Sequence, residues 1–339
     1  MKFLTHALIL TIAVLLSACS SQLKRSPSTP ETATSATNPE ALTIQYLGVG
    51  GHLISYQGSQ LLTAPSFTNP HLLRTGPWMP LSADIEKIDR YMPATDNVQM
   101  LLVGHAHYDH LLDVPHIAQQ HTPDAVIYGS ATTRNTLLPA LPASRLVAMN
   151  EHMGSSTQPG RWFYSADRRI RIMGLESGHA PHLMGLKFMS GSHEQPLKSL
   201  PWHAFGWKEG QTLAFLIDFL DSDEQPVHRI YYQDAASQAP AGLVPPLEDG
   251  KNIDVAILCP ASFSQVEQYP ESVVANTQAR HYILGHWEDF FANDLEGKQR
   301  FVRLTDEDEF IERLEAALPA NSDWVLPGLF STHRFEPET

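Results

Sequence analysis

From residue 42 onward, apolar and polar positions fall into strand-length pieces. Residues 42–47, 52–56 and 60–63 are short segments separated by Gly-containing turns, a pattern that predicts strands joined by hairpins. Residues 98–103 run apolar without interruption, as a strand covered on both faces does, and Val114–Gln120 after them predicts a short helix. Further strand-length pieces follow at 125–128, 169–175, 213–219, 229–232 and 255–258. Near the end, 310–318 predicts a helix with Thr305 as its N-cap. Asp308 stands three residues on as a short-armed capping box, and Asp306 and Glu307 suit the helix dipole. Many strands with interspersed helices imply two sheets covered by helices. No repeat of fixed period is visible, although an early and a late half can still be related in structure.

The first 41 residues read differently. Lys2 gives a positive start, and the apolar run 7–16 is too short to span a bilayer but suits the core of a signal peptide. It ends in Leu16-Ser17-Ala18-Cys19, which resembles the lipobox of bacterial lipoproteins, where cleavage precedes the cysteine and acyl chains such as palmitate are attached to it. The competing reading is an ordinary signal peptide with an incidental cysteine; position and flanks favour the lipobox. Residues 20–41 are rich in Ser, Thr, Pro and Ala and read as a flexible tether. The expected organisation is therefore signal peptide 1–18, lipidated Cys19 and tether 19–41, and one folded domain 42–339. Ser20 resembles an outer-membrane sorting signal, which implies a domain facing the periplasm and held to the membrane through Cys19.

Composition narrows the chemistry. Lys and Arg total 23 against 37 for Asp and Glu, a formal charge of −14, which falls to −15 once residues 1–18 and their Lys2 are removed. Such a surface repels a phosphate backbone, so a nucleic-acid partner is excluded, and the body does not lie flat on anionic lipid. Seventeen histidines bring metal chemistry into view. The two cysteines, Cys19 and Cys259, do not suggest a disulfide, and Cys259 reads as a small buried hydrophobe.

Residues 104–110 read Gly-His-Ala-His-Tyr-Asp-His, three histidines and an aspartate directly after the buried apolar strand. His105 and His107 point the same way if strand geometry persists, while Asp109 and His110 at the following turn face a second point nearby. Two metals can thus share one loop. This HxHxDH pattern resembles the signature of the metallo-β-lactamase superfamily. Later segments match it in order: His179 in Ser-Gly-His-Ala-Pro-His, Asp234 ending Arg-Ile-Tyr-Tyr-Gln-Asp, and His286 in Leu-Gly-His-Trp-Glu-Asp. The resemblance covers about residues 42–330 and implies a four-layer αββα sandwich of α/β class.

Carried over residue by residue, it implies two divalent ions, zinc first and manganese or iron as alternatives. One would be held by His105, His107 and His179, the other by Asp109, His110 and His286, with Asp234 bridging. Asp109 is further expected to orient the attacking water or take its proton, as the catalytic carboxylate. His182, three positions after His179, competes with it for the ligand role; the order after the strand favours His179. The other histidines, including His52, His71, His116, His203 and His281, read as packed or surface residues. The segment 186–210 reads as a pocket wall or a packed surface loop, so His182, Trp207 and Lys208 become candidate substrate contacts.

One departure concerns Ala64. The superfamily usually carries an aspartate at that place, and alanine cannot accept the hydrogen bonds of an outer carboxylate, so Thr63 or a neighbour must compensate. The Tyr in His107-Tyr-Asp-His and the Gly-His-Trp segment look most like the branch containing N-acyl phosphatidylethanolamine phospholipase D and L-ascorbate 6-phosphate lactonase. That implies hydrolysis of a small-molecule or lipid-derived substrate, a phosphodiester ranked first and a carboxylic ester or lactone second. A β-lactam substrate ranks lower, because fold does not transfer function. An iron redox site and a non-catalytic envelope lipoprotein are the readings from other classes.

Overall fold

The computed structural model describes residues 41–336 apart from Pro77 and Leu183. The signal peptide, lipidated Cys19 and nearly all of the tether lie outside the described residues. No helix among them is long and apolar enough to cross a membrane.

Among the described residues, fourteen strands form two seven-stranded sheets. In the first, β1 (Leu42–Gly48), β2 (Gly51–Tyr56), β3 (Ser59–Thr63), β4 (Val98–Leu102), β5 (Val126–Gly129) and β6 (Leu146–Ala148) lie in chain order. β14 (Thr332–Phe335) returns to pair with β1. The second sheet holds β7 (Phe163–Tyr164), β8 (Ile170–Glu176), β9 (Leu213–Leu220), β10 (Pro226–Tyr232), β11 (Val255–Leu258), β12 (His281–Leu284) and β13 (Asp323–Val325), again in order. Each sheet has three antiparallel pairs followed by three parallel ones. The two halves are thus related in topology without a sequence repeat, with β14 filling in the first sheet the place that β7 holds in the second.

Period-two alternation builds the layers. Leu213, Phe215, Ile217 and Phe219 of β9 meet Ile44, Ile54, Leu61 and Leu102 between the sheets. The intervening Ala214 and Leu216 face the opposite way, into a core with Val273 and Val274 of helix α5 (Glu271–Thr277) and Phe310, Ile311 and Leu314 of helix α6 (Glu307–Ala317). On the first sheet, Leu53, Leu62 and Leu101 pack with Val114, Ile117 and Ala118 of helix α3 (Val114–Gln120). The result is the expected helix–sheet–sheet–helix sandwich. Three further helices, α1 (Ile85–Tyr91), α2 (Tyr108–Leu111) and α4 (Ala131–Leu137), belong to the first half.

Asp306, not Thr305, caps α6: its carboxylate accepts from the backbone N–H groups of Asp308 and Glu309. A charged acceptor for two free amides at the positive end of the helix is the stronger cap. On β10, Arg229 donates to both oxygens of buried Asp218 at 2.7 Å and to Asp249, and Arg171 of β8 joins the Asp218 carboxylate at 2.8 Å. Cys259 is a buried free thiol, as expected.

Candidate metal centre

Four strand ends deliver the site. His105 follows β4, His179 follows β8, Asp234 follows β10 and His286 follows β12, each within three residues of its strand's C-terminal end. β8, β10 and β12 run the same way in the second sheet, with β9 and β11 between them, so their C-terminal ends share one edge. Hydrogen bonds from Ala106 N–H to Glu209 O (3.0 Å) and Leu213 N–H to Gly104 O (2.8 Å) bring the HxHxDH loop from β4 of the first sheet to that edge. α2 then carries Asp109 and His110 on its single turn.

All seven residues named from the sequence come together. His105, His107 and His179 form one donor group; Asp109, His110 and His286 form another; His105, His110 and Asp234 form a third that overlaps the other two. Within each group the ligand atoms lie within 4.8 Å of one another. Asp234 Oδ1 is 3.2 Å from His105 Nδ1 and its Oδ2 is 3.3 Å from His110 Nδ1, so this carboxylate stands between the sets. Asp109 Oδ2 lies 3.5 Å from His110 Nε2 and 3.4 Å from His286 Nε2.

The residues fit divalent ions by their unmet needs. His105 Nε2, His107 Nε2, both ring nitrogens of His110, His286 Nδ1 and Asp234 Oδ2 are buried without a hydrogen-bond partner. Buried polar atoms normally have partners, and orphans concentrated on the members of one donor cluster suit a Lewis acid. Burial, reinforced by the neighbouring histidines, pushes the pKa of His107 and His179 well down, which keeps their lone pairs free. Burial would raise Asp234 and Asp109. The histidines around them overcome this and hold both carboxyls well below the usual range.

His179 and His182 differ in what their other ring nitrogens meet. His179 Nδ1 lies 2.6 Å from Ala180 O, which can only accept, so the proton sits on Nδ1 and Nε2 is left as a donor to metal. His182 Nδ1 accepts from the Phe188 N–H at 3.1 Å, which puts the proton of the neutral ring on Nε2. Burial lowers the pKa of His182 to about 4, so the ring is neutral near pH 7. His182 therefore stands beside His179 and His107, with ring centroids 4.8 and 5.5 Å away, as a hydrogen-bond donor and outside all three donor groups.

Of the other expected contacts, Trp207 is 1% exposed and packs in the core of the first sheet with Ala204 and Leu112. For Trp207 the packed alternative describes its surroundings better than the pocket wall, since the indole contributes apolar area to the core. Lys208 is half-buried beside Glu209 on the segment hydrogen-bonded to the HxHxDH loop. His52 is packed between Tyr46 and Tyr232, His71 caps a short turn through Leu73 N–H, and His281 pairs with Asp323.

Ala64 is buried and gives only its backbone N–H to Leu102 O. The neighbouring Thr63 hydroxyl accepts from His52 N–H (2.7 Å) and donates to Gly50 O (2.5 Å), a carbonyl that also receives the Tyr232 hydroxyl. Gly50 lies directly against His110, where a Cβ would be 2.7 Å from Nδ1, so Thr63 orders the loop behind that ligand candidate. Sequence reading missed three further supports. Glu288 accepts from the Tyr46 hydroxyl and from Val49 N–H (2.7 Å). Tyr46 in turn accepts from His286 N–H at 3.0 Å, fixing that residue in a left-handed conformation at φ 50°. Asp113 ties α3 to Phe67 N–H and to Thr68. Glu288 lies inside the quoted Gly-His-Trp-Glu segment and Asp113 just past the HxHxDH loop, so position was the available signal.

No protein-family model matches the chain, and no curated protein matches it. Solved structures do. The metallo hydrolase Igni18 of the archaeon Ignicoccus hospitalis aligns at 13% identity and a TM-score of 0.50 over 87% of this chain and 99% of its own. The isothiocyanate hydrolase from Delia radicum gut bacteria aligns at 12% identity and a TM-score of 0.49 over 86% and 99%. The metallo-β-lactamase fold protein YhfI of Bacillus subtilis aligns at 13% and 0.48 over 87% and 100%. At such identities the likeness to Igni18 is one of fold.

Proposed function

We propose that this protein is a metal-dependent hydrolase with a dinuclear centre, acting first on phosphodiesters. The observation that carries the reading is the overlap of the donor groups: two three-residue sets joined by a third containing Asp234. A single structural ion needs one closed set of four, whereas linked open sets leave positions for water and substrate. His105, His107 and His179 would hold one ion, Asp109, His110 and His286 the other, and Asp234 would bridge. Bound there, divalent ions lower the pKa of water toward neutrality and polarise the electrophile.

The chain's own groups then divide the work. Asp109, with a carboxyl held well below its ordinary pKa, is a poor proton acceptor at neutral pH, which narrows its role to ligand and orienting acceptor. His182, neutral with its proton on Nε2, donates to an oxygen of the substrate that gains charge as the bond breaks. Resemblance to the phospholipase and lactonase branch ranks a phosphodiester above a carboxylic ester or lactone. Lipidation of Cys19 places the enzyme on the periplasmic face of the outer membrane, a proposal tested by fractionating cells that carry Cys19→Ala.

The decisive experiment is metal analysis of the purified protein with hydrolysis of bis(p-nitrophenyl) phosphate and of p-nitrophenyl esters, in wild type and in His107→Ala and Asp234→Ala. About two ions per chain, with metal and turnover lost together in both variants, is the expected result. The preferred ester chooses between phosphodiester and carboxylic substrates. A metal-free, inactive wild type overturns the enzyme reading.

A further inference from the structure

A second cluster lies on the outer surface of the first half, built from α1 and α3. Asp89, on α1, points its Oδ1 at two imidazoles: His116 Nε2 at 2.6 Å and His121 Nε2 at 2.8 Å. His116 is on α3 and His121 is its C-cap residue. The three ligand atoms lie within 4.8 Å of one another, and the rings stand 5.7 Å apart at 66°. None of the three belongs to the donor groups of the central site.

We propose that Asp89, His116 and His121 form a separate surface site for a divalent transition-metal ion of the zinc class, which clamps α1 to α3. Two imidazoles and a carboxylate from two elements make a facial set of three, the ligand chemistry that zinc and its neighbours take. The histidine side chains are mostly buried, while that of Asp89 is half-exposed, so the ligands are fixed on the protein side and water completes the shell from outside. The carboxylate is available, since its two histidine partners hold the Asp89 pKa below its ordinary value.

The backbone beneath the cluster is held in place independently of any ion. Arg145 donates to Ala118 O at 2.9 Å and to Thr122 O at 2.6 Å, and the Thr95 hydroxyl donates to His121 O at 2.6 Å, so the end of α3 cannot swing. On the α1 side, Ile88 is buried, Arg90 and Tyr91 both bind Glu296, and Tyr91 stacks on Phe330 at 5.4 Å. Ligands carried on packed elements lose little freedom when an ion binds, which favours binding by only three of them. The start of α1, Asp84 to Lys87, also lines a cavity of about 640 Å³ with Thr68 and Asn69, so the ion braces one wall of that cavity.

The test is a count of ions on the full-length protein. After chelation and dialysis, wild type, Asp89→Asn and His116→Ala/His121→Ala are titrated with Zn²⁺, and bound zinc and thermal midpoint are recorded. Asp89 is solvent-facing and the Asn replacement isosteric, so this variant keeps its fold. Wild type binding one zinc more per chain than both variants at submillimolar free Zn²⁺, with a zinc-dependent rise in midpoint that both variants lose, supports the site. Equal stoichiometry in all three, or a difference seen only at millimolar Zn²⁺, overturns it. Neither result depends on the central site, whose ions are common to all three proteins.

Discussion

Gly104 and Asp234 meet where the two sheets converge: a Cβ built on Gly104 would lie 2.2 Å from Asp234 Oδ1 and 2.3 Å from Oδ2. No side chain fits there, so the first residue of the HxHxDH loop is glycine because the carboxylate fills its space. Gly104→Ala is expected to push Asp234 away from His105 and His110 while leaving the surface unchanged. Loss of a group that positions a metal ligand typically costs about 10–100-fold in metal affinity or activity, and Gly104 acts on Asp234 in that way. Metal retained after dialysis against a chelator measures it, and retention equal to wild type would refute the bridging role of Asp234.

His179 and His182 should separate cleanly by substitution. His179→Ala removes a donor whose Nδ1 proton is taken by Ala180 O, so one ion and all but residual turnover are expected to go. His182→Ala removes a neutral donor outside the donor groups; the metal count should stay while turnover falls, by an amount typical of a lost oxyanion donor, roughly 10²–10³. Metal analysis beside steady-state rates decides. Loss of an ion from His182→Ala and none from His179→Ala would reverse the assignment.

Sequence carried the central strands and the site better than the supports. β4, β9, β11 and α3 are legible because both faces of a central strand, or one face of a helix, must be apolar, and those patterns are local. β14 and β7 are not, since their residues are mostly half-exposed and pair only because distant strands present an edge. The HxHxDH loop is legible because its residues are contiguous. Tyr46 and Glu288, 242 positions apart, act on His286 through a hydrogen bond that no local pattern announces. Trp207 leaves both readings open in sequence because an aromatic residue in a polar stretch reads the same whether it lines a pocket or fills a core.

Acid should destabilise the metal-free protein through His52. This ring is fully enclosed, and burial lowers its pKa to about 3, against 6.5 for the free residue. Between those values the unfolded chain binds a proton at His52 that the folded chain does not, so stability rises with pH across the window and is lost as pH falls from about 6.5 toward 3. His182, lowered to about 4, adds to the same slope. His52→Leu removes one titrating group and should flatten the dependence. Urea midpoints of the apoprotein between pH 4 and 7 check it, and an unchanged slope in the variant would show that other groups govern acid unfolding.

Removing Arg229 should cost stability without touching the site, because Arg229 lies midway along β10 and its partners Asp218 and Asp249 are outside the donor groups. Arg229→Met leaves Asp218, fully buried, with Arg171 as its one remaining cationic partner. Breaking a buried pair in this way typically costs about 3–5 kcal/mol, most of it from the charge left behind. The companion variant Arg229→Met/Asp218→Leu removes that stranded charge and should recover part of the loss, although it leaves Arg171 with Asp249 alone. Denaturant unfolding of both proteins separates the contributions. If the double variant is less stable than the single one, the network stabilises the fold through its attraction rather than merely satisfying charges that burial would otherwise strand.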